Sequence, residues 1–530
     1  MAEVLDNKPS GGGRRNRLYG TAFGLALVLP WLNPVASGPA PSVEALVFAI
    51  ACATGAFWWL AGLAGPELRQ QWAMATDFIF AAWLAASLLS CAVGLLQYFG
   101  LAALFSPWIN SAGVGEAVAN LRQRNQFASL TSIGLAAALQ MAGRPQKCLA
   151  GWLMPAMAVL LAIGNAASSS RTGLMQLVLL CALVAAWGGI RNAPVRRTML
   201  AAVSGYIAAT FLLPLLAGLD VSAYGAFARL RTGDALCSSR LTLWSNVLHL
   251  IAQKPWFGWG WGELDYAHYI TLYNGPRFCD ILDNAHNLPL HLAVELGIPL
   301  ALLACGLFVW WIARQRPWRE TDPTRQMAWA VLAVILLHSM LEYPLWYGPF
   351  QMATGLCLWM LWRRSPAAVR SDSTQAFETT ADRAVFPWRR VRLAIGVAIL
   401  TACAYAAWDY WRISQVYLSP SARDPAYREN TLEKIRGSWL FSNQVSFAEL
   451  GMTGLTPSNA QWTYDTATRM LHFSPEPRVI EKVIESATML GLNDVAVAHV
   501  ARYRAAFPVD YAKWQANNLP ASTRRPRPAS

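Results

Sequence analysis

Apolar residues in this chain gather into long unbroken runs instead of alternating with polar ones. The runs lie near 18–33, 42–64, 73–98, 126–142, 149–164, 171–189, 198–216, 288–312, 327–341, 346–362 and 391–409. A helix rises about 1.5 Å per residue, so a run of about 20 crosses the roughly 30 Å of a bilayer's hydrocarbon. The pattern predicts an all-α polytopic membrane protein of about eleven transmembrane helices. Two regions break it. One is a polar loop spanning 217–287, between the seventh and eighth runs. The other is the chain after 410, where charge returns.

Inside the loop, SSRLTLWSNVLHLIAQ (238–253) has apolar residues at helical spacing, which predicts a helix lying at the membrane interface. The stretch after it, KPWFGWGWGELDYAHY, turns on Pro255 and its glycines and is rich in aromatics. A loop of this length is usually functional. In the tail, SNAQWTYDTATRML, EPRVIEKVIESATMLG and NDVAVAHVARYRAAFP are each amphipathic and joined by short Pro, Gly or Asn breaks. They predict helical hairpins of tetratricopeptide type over 410–515. Residues 363–390 read as a linker and 516–530 as a disordered end.

Composition supports the membrane reading, with 55% hydrophobic and 14% charged residues. Many of the 25 tryptophans fall near run ends, as expected of aromatic belts. The net charge of +13 suggests a nucleic-acid partner until it is mapped. With the tail 1–17, which carries RRNR, in the cytoplasm, alternate loops carry Arg69, Arg144 with Lys147, RNAPVRR (191–197), RQRPWR (314–319), and six arginines from Arg363 to Arg390. All fall on one side, so basicity reports topology and not nucleic-acid binding. The expected location is a bacterial inner membrane, multi-pass, with the N-terminus cytoplasmic and the C-terminus periplasmic. No small-residue cleavage site follows the first run, which is read as an uncleaved helix. Segments 99–125, 165–170, 217–287 and 342–346 then lie outside with the tail. Of nine cysteines, seven sit in or beside runs; Cys237 and Cys279 fall in the external loop. They are candidates for a disulfide in an oxidising compartment, although sequence leaves their separation open.

The external face collects the candidate chemistry. Arg171, in GNAASSSRTGLMQL, stands at the mouth of the sixth run against the positive-inside trend. It is either a functional group or an arginine snorkelling at the headgroups. Arg240 opens the loop helix and by itself reads equally as a solvated surface residue. His286, in ILDNAHNLPLHLAVELG, has Asp283, Asn284 and Asn287 around it to orient its ring, and also admits a purely structural role. Together the three suit an anionic lipid-linked substrate. Guanidinium forks bind phosphate oxygens, and neutral imidazole accepts a hydroxyl proton near neutral pH. No DxD, HExxH, P-loop or GxGxxG stretch occurs, so no metal, nucleotide or other cofactor is expected. A transporter is disfavoured, because the ionisable groups crowd one face and no internal repeat is visible.

The succession SSSRTG, SSRLTLW and DNAHNLPLHLAVELG resembles the superfamily of O-antigen ligases, O-antigen polymerases and bacterial O-linked oligosaccharyltransferases. LRQRNQFAS (121–129) is similar to that family's asparagine-containing external motif, with Asn125 at its centre. Here arginines flank the asparagine, a departure that makes Arg122 or Arg124 a candidate third phosphate contact. LLHSMLEYPLWYGPF (336–350) and the tail resemble the branch that glycosylates pilins and other exported proteins. The resemblance implies that Arg171 and Arg240 hold undecaprenyl pyrophosphate and that His286 is the base. It implies transfer of a lipid-linked glycan to an acceptor protein. An O-antigen ligase delivering the same donor to lipid A–core is the nearest alternative, and a polymerase the next. His338 and Glu342, four apart, are expected on one helical face. With Tyr347, they are candidates to line the acceptor or lipid groove.

Overall fold

The apolar runs fold as helices in a computed structural model that describes residues 11–33, 41–63, 68–144, 150–221, 236–362 and 381–518. Seven helices precede the loop: α1 (Gly11–Leu32), α2 (Pro41–Ala61), α3 (Leu68–Tyr98), α4 (Arg124–Ala142), α5 (Ala150–Ala167), α6 (Arg171–Ala186) and α7 (Ala193–Leu216). The loop contributes α8 (Arg240–Gln253), α9 (Leu264–Ile270) and α10 (Leu288–Leu296). Then come α11 (Ile298–Gln315), α12 (Pro323–Ser339), α13 (Gly348–Trp362) and α14 (Ala381–Ser414). The tail is helical from α15 (Thr431–Ile435) through α16 (Ser442–Met452), α17 (Ala460–Leu471), α18 (Pro477–Met489), α19 (Asn493–Ala506) and α20 (Pro508–Asn518). Among the described residues there is no strand. Among the described residues five helices are long and apolar enough to cross a membrane: Val43–Ala61, Gln70–Tyr98, Ala193–Leu216, Ile298–Arg319 and Arg390–Tyr417. This is a helical membrane protein.

The helices depart from the sequence reading in three places. The run 288–312 is two helices, broken at Gly297, whose φ of +86° an L side chain rarely adopts. A residue there with a Cβ would collide with the backbone of Trp256, so the break is imposed by tertiary packing and hydropathy does not reveal it. The expected linker 363–390 is already helical from Ala381, while 363–380 lie outside the described residues. Residues 11–17 of the expected N-terminal tail belong to α1, and 516–518 belong to α20. Residues 1–10 and 519–530 lie outside the described residues, as do 222–235 of the loop.

Two compact units emerge. The first comprises Met1–Thr232 with Ile312–Ala407, and the second Gly233–Trp311 with Trp408–Ser530. In the first, helices meet through small residues. Ser87 Oγ of α3 donates to the Leu130 carbonyl of α4 at 2.7 Å, beside Gly134. Such contacts suit helices in lipid, where apolar side chains gain little by leaving one apolar solvent for another. One end of this bundle carries Arg144 paired to Asp77 (2.6 Å), Arg325 paired to Glu320 (2.7 Å), and Trp187 Nε1 donating to the Pro317 carbonyl. Gln140 and Gln326 lie at that same end, 3.5 Å apart.

The second unit has a solvent-type core. α16–α20 bury Phe447, Ala467, Ile480, Val483, Ile484 and Tyr503 at helical spacing. Tyr269 of the loop's α9 is buried in the same cluster, so the loop completes the tail's core. Its hydroxyl meets Nδ1 of His499 at 2.7 Å, and Arg502 donates to the Ile270 carbonyl. His472 pairs with Glu263 at 2.7 Å. A separate apolar cluster joins α8 to the loop through Leu243, Val247, Leu250, Phe278 and Leu282.

Candidate active site

In the first unit the polar residues opposite the Arg144 end converge on the start of α6. α4 begins after Gln123, whose side chain caps Gln126 N–H at 2.7 Å. Asn125, the second residue of the helix, bridges two other segments. Its Nδ2 donates to Glu342 Oε1 at 3.2 Å, and its Oδ1 accepts from Ser170 Oγ at 2.6 Å. Ser170 is the N-cap of α6 and accepts from Gly173 N–H at 3.0 Å. Arg171, half-buried, is the first residue of that helix. Gly173 lets α6 approach α4 and α5, since a Cβ there would strike Asn165 and Ala128. Arg124 pairs with Glu116 at 3.3 Å and Arg122 donates to Asn110 at 3.1 Å.

Below this lies a buried polar string that the sequence reading missed. Ser129 Oγ meets His338 Nδ1 at 2.9 Å and accepts from Gln176 Nε2 at 2.7 Å. Gln176 also accepts from Ser132 Oγ and donates to the Val334 carbonyl. Asn165 donates to Thr131 Oγ1 and Ser132 Oγ. Four helices are thus cross-linked inside the bundle. The available signal was Gln176 within an apolar run, where polar side chains normally need partners; Asn165 falls just past the end of the run before it. α12 ends at Ser339, but Glu342 N–H still donates to the His338 carbonyl at 2.8 Å, and both side chains meet α4, His338 at Ser129 and Glu342 at Asn125. His338 is wholly buried against Phe350, and Glu342 lies in the turn that follows. Tyr347 is half-buried, its ring stacked on Tyr343.

In the second unit Arg240 and His286 are brought onto one scaffold. Ser239 caps α8 by accepting from Thr242 N–H, and Arg240 is the helix's first residue. One turn on, Trp244 Nε1 donates to the Ala285 carbonyl at 3.1 Å, fixing the residue before His286 to the helix that Arg240 opens. Asn246 clamps the same loop, accepting from Phe278 N–H and donating to the Pro276 carbonyl. Cys237 and Cys279 form a disulfide with Cα atoms 5.2 Å apart.

The turn itself is local. Asn284 is buried and its Oδ1 accepts from His286 N–H at 2.9 Å, an Asx turn. His286 takes a left-handed φ of 51° and is half-buried. Asn287 caps α10 by accepting from Leu290 N–H at 3.1 Å. Asp283 is exposed. Behind the turn, Arg277 donates to the carbonyls of His268 and Thr271 at 2.8 Å each. Burial, then the Arg277 charge, pushes His268 down to about 3. Burial pushes Asp265 up to about 7, and Glu263 and Asp283 add to the rise. Among the described residues no cluster of His, Cys, Asp and Glu is arranged to hold a metal ion.

Arg171 and Arg240 share a construction: a serine N-cap followed by arginine at the first helical position. A cation there opposes the helix dipole, so helix stability does not account for it. Dipole and guanidinium together make each position attractive to an anion.

Three family descriptions match the chain. "O-Antigen ligase" matches residues 156–305, which contain Arg171, Arg240 and His286. "Protein glycosylation ligase" matches 117–139, around Asn125, and "Virulence factor membrane-bound polymerase, C-terminal" matches 326–521. A "General O-oligosaccharyltransferase" of Acinetobacter baylyi is 24% identical over 330 residues, 58% of this chain and 55% of that protein. Over about half its length this chain is thus similar to proteins named O-oligosaccharyltransferases. A "ComP-specific O-oligosaccharyltransferase" of the same organism is 26% identical over 247 residues, 46% of this chain and 43% of the relative. The chain thus spans about half the length of the curated relatives it matches.

Proposed function

We propose that this protein is a glycosyltransferase that moves an oligosaccharide en bloc from undecaprenyl pyrophosphate to Ser or Thr hydroxyls of exported proteins, pilins among them. In this reading α1–α7 and α11–α14 make eleven crossings of the inner membrane, with the loop and tail periplasmic. The paired Ser-capped helices that begin with Arg171 and Arg240 carry the proposal. Each is an anion-suited terminus in its own right, with arginine at the first helical position behind a serine cap. The relatives' names support the class of reaction.

In the reaction, the acceptor oxygen attacks the anomeric carbon and its proton passes to His286. The bond from that carbon to the pyrophosphate oxygen breaks, and Arg171 and Arg240 stabilise the charge gathering there. A single displacement inverts the anomeric centre. The Asn284 turn and the Asn287 cap fix the backbone on either side of His286, so the imidazole is presented without help from substrate.

The test uses membranes containing the protein, an undecaprenyl-pyrophosphate glycan, and two acceptors together: a pilin-like protein and lipid A–core. Intact masses should show a glycan-sized gain on the protein that His286→Ala nearly abolishes. The match to the O-antigen ligase description favours a second reading, in which the gain falls on the lipid. A variant that still glycosylates at near wild-type level removes His286 from the mechanism.

A further inference from the structure

The aromatic turn 254–262 plays no part in the reaction proposed above, yet it is built with care. Trp259 N–H donates to the Val294 carbonyl (2.8 Å), Gly260 N–H to the Glu295 carbonyl (3.0 Å), and Ile298 N–H to the Pro255 carbonyl (2.8 Å). Gly262 N–H donates to the Glu295 carboxylate at 3.0 Å. The turn is therefore laced to both sides of the Gly297 break. Gly258 (φ +69°) and Gly297 (φ +86°) sit back to back, and a Cβ on either would enter the other strand's backbone. Trp259 folds inward, its Nε1 on the Leu250 carbonyl and Lys254 over its ring.

This rigid frame does not bury its other aromatics. Phe257 is 90% exposed, Trp256 72% and Trp261 63%. Presenting three large apolar side chains to water on a fixed frame is costly and unusual for a soluble surface. The turn adjoins the first residues of α11, one of the helices able to cross a membrane. Of α11 only Ala301 is buried, and Leu300, Leu302 and Leu303 face outward like the turn's aromatics. The exposed apolar surface thus runs from the helix onto the turn. Tryptophan and phenylalanine beside an exposed lysine is the composition that partitions to the headgroup boundary of a bilayer.

We propose that Trp256, Phe257 and Trp261 form a rigid wedge that inserts into the phospholipid leaflet beside the start of α11. The partner is lipid itself: acyl chains for the rings, headgroup phosphate for Lys254. The wedge shares one hydrogen-bonded junction with α10, the nine-residue helix that Asn287 caps. It therefore holds that helix at a set depth instead of letting it ride freely on the loop.

The test places a benzophenone amino acid at position 257 of the full-length protein, in nanodiscs of phosphatidylethanolamine and phosphatidylglycerol. The same substitution at Trp439, 78% exposed in the tail, is the control. Phe257 packs on almost nothing, so the replacement leaves the fold intact. After irradiation, mass spectrometry should find several-fold more phospholipid adduct at 257 than at 439. Equal yields at the two positions overturn the proposal. So do adducts at 257 that are mainly to a second copy of the chain, or to added glycan donor's sugar instead of its lipid.

Discussion

Arg171 stands on a helix whose capping serine is tied to Asn125 of α4, which in turn bonds Glu342, 217 residues from Asn125 in sequence. His286 stands on a turn whose bonds come from its own neighbours, Asn284 and Asn287, with Trp244 and the disulfide as outer braces. The first support is a set of side-chain bonds between helices, the kind a lipid environment favours because backbone groups are already satisfied and apolar contact gives little preference. The second is a loop design, with side chains completing turns and caps in a unit that has a water-type core. Damage to Arg171's support should spread through the bundle, whereas damage to His286's should stay in the loop.

The largest effect expected from breaking this contrast comes from the disulfide. Cys237→Ser with Cys279→Ser opens a closed span of 42 residues, worth about 4 kcal/mol in the chain-entropy view. Proteolysis should begin in the loop while the first unit's cleavage pattern stays unchanged. Asn125→Ala comes next. It removes bonds to both Ser170 and Glu342 and should cost about 1–3 kcal/mol, with loss of transfer through Arg171 despite distance in sequence. Asn284→Ala should cost only about 1 kcal/mol of loop stability. Transfer should fall as the His286 turn loosens, and Asn284→Asp, which keeps the acceptor oxygen, should recover much of it. A thermal-shift series with glycosylation assays on the three variants would rank them.

The smallest effect is pH-dependent and confined to the second unit. Burial, then the Arg502 charge, pushes His499 down to about 4, and His268 lies near 3. The unfolded chain takes up protons near 6.5, whereas the folded imidazoles stay neutral until far lower. These two groups therefore make stability rise with pH from about 4 to 6.5. Asp265, pushed up to about 7, works the other way over roughly pH 4 to 7, being protonated in the fold and ionised when unfolded. Hydrogen exchange at α9 and α19 should show protection in His499→Gln changing less between pH 4.5 and 6.5 than in wild type. In Asp265→Asn, protection should rise more steeply with pH.

Residue order alone announced the helical membrane class, since runs of twenty apolar residues admit little else. It announced the loop helix, the amphipathic tail hairpins, and the residue types Arg171, Arg240 and His286 at the edges of runs. Both Ser-Arg helix starts were readable, because an N-cap is a contact between residues three apart. Tertiary structure alone decided the break at Gly297, where the Trp256 backbone lies so close that any Cβ would strike it. It also decided that α12 stops before Glu342 and that Tyr269 belongs to the tail's core. The string from Asn165 to His338 belongs here too, joining positions up to 209 residues apart. Hydropathy and capping are properties of neighbours in sequence; a helix break forced by a distant carbonyl, or an asparagine bonded across the bundle, is a property of the folded chain.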